Sequence, residues 1–201
     1  MCIAIVGAGY WGKNLIREFY SLGVLDMVIE QDENLLNEIK NKYNIKTSSN
    51  IQDVLNKNYI TGIVIATPSE THYTIAKQCL DYNKNIFIEK PFTLDYNKSL
   101  ELHNLSNQKN LKIMVGHILH YNLYIIKLKS LLKNNTIGKI KSIVTNRFSY
   151  GKIRSNENVL WSFAPHDISL IYSLHKNSSN QEPLLNIKYI DSKTHCSNIS
   201  E

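Results

Sequence analysis

Near the start of the chain, Gly7-Ala8-Gly9-Tyr10-Trp11-Gly12 has the spacing of a phosphate-cradling turn. Each glycine in such a turn does a different job. The first permits the bend, the second lets a pyrophosphate approach the backbone, and the third lets the following helix pack on the preceding strand. Unpaired amides at the helix N-terminus, and the positive end of its dipole, then face the phosphates. A second apolar run ends at Val28-Ile29-Glu30, close to the spacing of about 20 residues expected for an acidic partner. A carboxylate there accepts hydrogen bonds from an adenosine ribose and repels a 2′-phosphate, which favours NAD over NADP. Asp32, two residues on, competes with Glu30 for that role.

These groups need elements that hold them at one edge of a sheet. Apolar runs of strand length occur at Cys2–Val6, Val24–Glu30, Thr61–Ala66, Asn85–Ile88 and Leu111–Val115. Helical patterns separate them at Trp11–Leu22, Asp32–Tyr43, Glu70–Leu80 and Asp95–Asn107. Such alternation predicts crossover connections and a parallel sheet covered on both faces. The rhythm changes after residue 120. A helix is predicted over Tyr121–Leu132, a half-exposed strand over Lys139–Tyr150, and a helix over Phe163–Leu174 opening near Pro165. Leu184–Ile190 reads as a last strand, and the tail from Ser192 is polar and patternless. The expected fold is α/β: a Rossmann doubly wound parallel sheet over residues 1–120, the NAD-binding domain, then an incomplete α+β second domain over 121–201. The second domain is expected to serve substrate binding or oligomerisation.

The chain has 201 residues, 43% hydrophobic and 20% charged, enough for one full core and short for two. Its blocks of Ile, Leu and Val exclude a disordered chain. No apolar run reaches the ~18–20 residues of a membrane span, and the first residues lack the basic region of a secretory leader. Cys2, Cys79 and Cys196 have no paired spacing, so neither a disulfide framework nor a zinc site is expected. The net charge is +6, but the lysines are scattered among asparagines and form no basic run. That pattern argues against nucleic acid as a partner. A cytoplasmic protein with no membrane, nucleic-acid or metal partner is expected.

Further motifs join the glycine turn: Ala66-Thr67-Pro68 with Thr71-His72-Tyr73, and Glu89-Lys90-Pro91 after the strand Ile86–Ile88. Together they resemble the glucose–fructose oxidoreductase / inositol dehydrogenase / MocA family. Gly151-Lys152-Ile153-Arg154 and Leu160-Trp161-Ser162-Phe163-Ala164-Pro165-His166-Asp167-Ile168 resemble a narrower branch, the nucleotide-sugar 3-dehydrogenases of surface-polysaccharide biosynthesis. The resemblance implies oxidation of the C3 hydroxyl of a UDP-N-acetylhexosamine, or its uronic acid, to a 3-keto sugar, with NAD as cofactor. It implies that Gly7, Gly9, Tyr10, Trp11, Gly12, Glu30, Thr67, Pro68, His72, Glu89 and Lys90 bind the cofactor. Lys90, Arg154 and His166 are the implied substrate contacts. Family members run longer, so the chain is expected to lack most of the second domain's open sheet. A homo-oligomer would shield the edge left exposed. Ser162 stands where many members carry an Asp four residues before the catalytic His, which shifts the proton handling to Lys90 and His166.

Oxidising a secondary alcohol requires a base for the hydroxyl proton. Lys90 is expected at the carboxyl end of a parallel strand, where open α/β sheets bind ligands. Burial beside a second cation would lower its pKa and let it position or deprotonate the hydroxyl. His166 is the stronger candidate for the base, because an imidazole titrates near neutral pH. Glu89 and Asp167 are expected to orient neighbours, His117 follows a strand near the cleft, and Trp161 and Phe163 read as core. Arg154, with Lys152, offers a fork that matches a diphosphate or carboxylate. A non-catalytic NAD-binding regulator and an inactive truncated fragment are the rival readings. Retention of both Lys90 and His166 favours an enzyme.

Overall fold

The computed structural model describes residues 2–147 and 159–179. Six strands form one sheet: β1 (Cys2–Val6), β2 (Leu25–Ile29), β3 (Lys46–Ser48), β4 (Ile60–Ile65), β5 (Asn85–Ile88) and β6 (Ile113–Val115). Their order is β3-β2-β1-β4-β5-β6, and every neighbouring pair is parallel. The connections carry α1 (Tyr10–Ser21), α2 (Glu33–Tyr43), α3 (Gln52–Leu55), α4 (His72–Asp81) and α5 (Tyr96–Gln108). This is the doubly wound Rossmann arrangement, with its switch of winding direction between β1 and β4.

Alternation along β1 shows why the sheet needs cover on both sides. Ile3 and Ile5 join Ile16 of α1 and Ile39 of α2 in one apolar cluster. Ala4 and Val6 join Ile63, Ile65, Ile86 and Leu102 in the other. A strand's side chains alternate faces, so a continuous apolar run is buried only between two helical layers. Each fully buried Ile or Leu contributes roughly 1.5–3 kcal/mol. At the opposite end of the sheet from the motifs, Lys84 is 3% exposed. Its Nζ donates to the carbonyls of Lys57 at 2.7 Å and Ile60 at 2.8 Å, fastening the α4–β5 turn to the start of β4.

The described residues divide into two compact units. The first holds the sheet through residue 118 together with residues 159–166, and the second holds 119–147 and 167–179. In the second unit, α6 (Leu123–Lys133) opens on Asn122, whose side chain accepts from the Tyr124 amide. Arg147 pairs with Asp167 through two bonds of 2.9 Å, so Asp167 orients a guanidinium there.

Several expectations change. Residues 46–48 and 52–55 form β3 and α3, which the apolar pattern did not signal, because β3 is polar and is held by pairing to β2. Residues 139–147 form no strand among the described residues; the Ile140 amide donates to Ser178 Oγ instead of a ladder partner. The last helix among the described residues, α7 (Val159–Ser179), starts earlier than expected and carries Pro165 in its interior. The strand expected at Leu184–Ile190, residues 148–150, and Cys196 lie outside the described residues.

Candidate functional site

The motif loops leave the carboxyl ends of four adjacent strands, and a backbone bond ties each to its neighbour. The Gly7 amide donates to Ile29 O, Ala66 to Val6 O, Glu89 to Ile65 O and Gly116 to Ile88 O, at 2.8–3.0 Å. The strand pairing therefore sets the spacing of the loops, and loop conformation enters only beyond that first bond.

The glycine turn is built as its spacing predicts. Gly7 has φ +99, and a Cβ there would stand 2.7 Å from the Ala66 carbonyl group. A Cβ on Gly12 would stand 2.2 Å from Gly7 O, so helix and turn touch backbone to backbone. A Cβ on Gly9 would meet nothing within 4 Å. Gly9 is the N-cap of α1, no side chain caps that helix, and its first turn carries no acid. Free space above an uncapped helix N-terminus is the cradle a pyrophosphate requires. Tyr10, 88% exposed, borders it.

Glu30 stands at the end of β2 against this turn. Its carboxylate accepts from the Ala8 amide at 2.6 Å, and from those of Gln31 at 2.7 Å and Asp32 at 3.2 Å. Asp32 is withdrawn from the competition: it caps α2, accepting from the Asn34 and Leu35 amides. Of the two acids, only Glu30 bonds to the glycine turn, through the Ala8 amide.

Trp11 points the other way, towards the Glu-Lys-Pro loop, and its Nε1 donates to Glu89 Oε1 at 2.6 Å. Burial pushes the Glu89 carboxyl above the ordinary carboxylate range, opposed by the bonds from Trp11 and the Lys90 amide and by the Lys90 charge. Gly116 shares this spot, since a Cβ on it would lie 2.9 Å from Glu89 Oε1. Sequence reasoning missed Gly116; a glycine directly after a strand, where another group approaches closely, was the available signal.

Lys90 Nζ donates to the Ser162 carbonyl at 3.0 Å. Ser162 lies one helical turn before His166 on α7, so Lys90 meets the turn that leads to the second catalytic candidate. His166 is half-buried. Burial, and after it the Lys90 charge, lower the pKa of His117 from the ordinary 6.5. Thr67 and Pro68 lie in the loop after β4, where Thr71 Oγ1 sits 2.7 Å from both Thr67 Oγ1 and the Pro68 carbonyl. His72 is buried behind that loop and faces two backbone carbonyls. Trp161 is exposed and Phe163 half-buried. Arg154 and Lys152 lie outside the described residues. Among the described residues no group of three or more His, Cys, Asp or Glu side chains is placed to hold a metal, and no helix is long and apolar enough to cross a membrane.

Residues 1–117 match the model of the GFO/IDH/MocA oxidoreductase family, described as having an NAD-binding Rossmann fold. The chain belongs to this family. Residues 1–117 accordingly form an NAD-binding Rossmann fold, and the open turn at Gly9 fits that cofactor. The UDP-N-acetylglucosamine 3-dehydrogenase of Acidithiobacillus ferrooxidans is 22% identical over 171 residues, 85% of this chain and 53% of that protein. Myo-inositol 2-dehydrogenase from Lactobacillus plantarum superposes with a TM-score of 0.65 at 28% identity, covering 70% of this chain and 43% of the other. The WlbA dehydrogenase of Chromobacterium violaceum, solved with NADH and UDP-GlcNAcA, gives 0.64 at 19%, covering 69% and 41%. The matched stretch spans 35% to 53% of the lengths of the first four curated relatives.

Proposed function

We propose that the chain serves an NAD-dependent sugar dehydrogenase that oxidises the C3 hydroxyl of a UDP-N-acetylhexosamine, or of its uronic acid, to a 3-keto sugar for surface-polysaccharide biosynthesis in the cytoplasm. The observation that carries this reading is the bond from Lys90 to Ser162. It draws the Glu-Lys-Pro motif, at the carboxyl end of β5, to the α7 segment that contains His166. The nucleotide-sugar dehydrogenase among the relatives supports the same substrate class. Bound NAD supplies a hydride acceptor. Lys90, held by the Ser162 carbonyl, donates a hydrogen bond that positions the sugar hydroxyl. His166 takes the hydroxyl proton as the carbon–oxygen bond becomes a carbonyl. Glu30, already satisfied by three amides, disfavours a 2′-phosphate and sets the preference for NAD over NADP. Residues 121–201 then contribute to substrate binding or oligomerisation, with Arg154 contacting the diphosphate or carboxylate.

The test follows cofactor reduction by absorbance with UDP-N-acetylglucosamine, its uronic acid and myo-inositol. Turnover is expected with a nucleotide sugar. Lys90→Met and His166→Asn should each lower kcat about 10²–10⁴-fold while NAD affinity stays close to that of the parent chain. Reduction with inositol alone would remove the proposed substrate, and undiminished turnover in both variants would remove the assigned roles.

A further inference from the structure

We infer that His72 is a positioning residue that couples the cofactor loop to Lys90. The inference rests on the roles proposed above for the Thr67-Pro68 loop and for Lys90. His72 opens α4, yet its side chain is turned inward and is 1% exposed. Nδ1 lies 2.8 Å from the Pro91 carbonyl oxygen, and Nε2 lies 3.0 Å from the Thr67 carbonyl oxygen. These carbonyls belong to different loops. Thr67 follows β4 in the loop read as contacting the cofactor, and Pro91 is bonded directly to Lys90.

The chemistry of the contact makes it specific. A carbonyl oxygen only accepts, so each ring nitrogen bonds its carbonyl only while carrying a proton. A neutral imidazole has one N–H and holds one loop; the doubly protonated ring holds both. The ring is flat and stiff, so the two nitrogens keep a fixed separation and act as a spacer between the loops. An apolar side chain of similar size would fill the volume but take the donor away from each carbonyl that the ring serves. The strand ladder sets where the loops begin, and His72 sets how far apart they stand beyond it. While both bonds are made, movement of the loop that carries Thr67 is passed to Pro91, the residue bonded to Lys90.

Two amide replacements separate the bonds. In His72→Asn the side-chain amide reaches the position of Nδ1 and keeps a donor for Pro91. In His72→Gln it reaches the position of Nε2 and keeps a donor for Thr67. His72→Phe removes both. Each variant of the 201-residue chain is read twice, by calorimetric NAD⁺ affinity and by the rate at which trace acetic anhydride labels the Lys90 amine, followed by mass spectrometry. His72→Asn is expected to weaken NAD⁺ about tenfold, the equivalent of one lost hydrogen bond, and to move Lys90 labelling little. His72→Gln is expected to reverse that order, changing Lys90 labelling severalfold and NAD⁺ affinity less. The inference is overturned if saturating NAD⁺ changes Lys90 labelling by the same factor in the parent chain and in both amide variants. It is equally overturned if neither readout moves while the melting temperature alone falls, as a packing role requires. The Asn and Gln pair decides the matter even where His72→Phe does not fold. Neither readout uses turnover, so failure of this coupling and failure of the proposed sugar oxidation are separately visible.

Discussion

Gly9→Ala should separate stability from cofactor binding, which a substitution at either flanking glycine cannot do. Gly9 has φ −63 and ψ −169, a conformation open to alanine, and its Cβ would meet nothing within 4 Å. Alanine narrows the unfolded ensemble, worth about 0.4–1 kcal/mol, and caps a helix less well than glycine by a similar amount. The two nearly cancel, so Tm should stay within roughly 2–4 °C of the parent. The added methyl points into the space assigned to the pyrophosphate. Overpacking there should cost about 1–3 kcal/mol of binding, a loss of roughly 5- to 150-fold in NAD⁺ affinity. Gly12→Ala is the control. Its Cβ would stand 2.2 Å from Gly7 O, and separating two backbones should cost at least about 3 kcal/mol, lowering Tm by roughly 6–12 °C. Calorimetric titration and thermal melts with and without NAD⁺ read both quantities. A Gly9→Ala chain that binds NAD⁺ as tightly as its parent would refute the cradle, and an undisturbed Gly12→Ala melt would refute the close contact of helix and turn.

Three further outcomes are expected. Glu30→Gln should weaken NAD⁺ and narrow the discrimination against NADP⁺, whereas Asp32→Ala should lower stability by about 1 kcal/mol through loss of its cap without changing that discrimination; titrations with both cofactors check this. For His117 the folded state holds the imidazole below 6.5 by burial and by the Lys90 charge. Its contribution to stability is therefore complete above pH 6.5 and is lost as pH falls through the folded value, so His117→Asn should flatten the acid side of a plot of stability against pH in urea melts. Lys84→Met keeps the buried aliphatic stem but removes the donor to Lys57 and Ile60. Urea denaturation should show a loss of about 1–3 kcal/mol, with NAD⁺ affinity unchanged, since Lys84 lies at the far end of the sheet.

The glycine turn, the acid at the end of β2 and the alternation of strands with helices were legible in the sequence because each is a local requirement. A bend needs a residue without a Cβ, and a strand buried on both faces needs an unbroken apolar run. The polar strand β3 was not legible, because only the neighbouring edge of β2 makes Lys46–Ser48 extended. The alternation in 139–147 misled for the converse reason: a strand exists only when a partner accepts its hydrogen bonds, and the Ile140 amide finds a serine hydroxyl. The site divides the same way. Motif spacing named Trp11, Glu89, His72 and Lys90, but their partnerships span long stretches of chain. Trp11 meets Glu89 across 78 residues, and Lys90 meets Ser162 across 72. His72 joins two loops that only the β4–β5 pairing brings together. Residue type settled which groups are capable of chemistry, and the parallel sheet, by lining up its strand ends, decided which of them face one another.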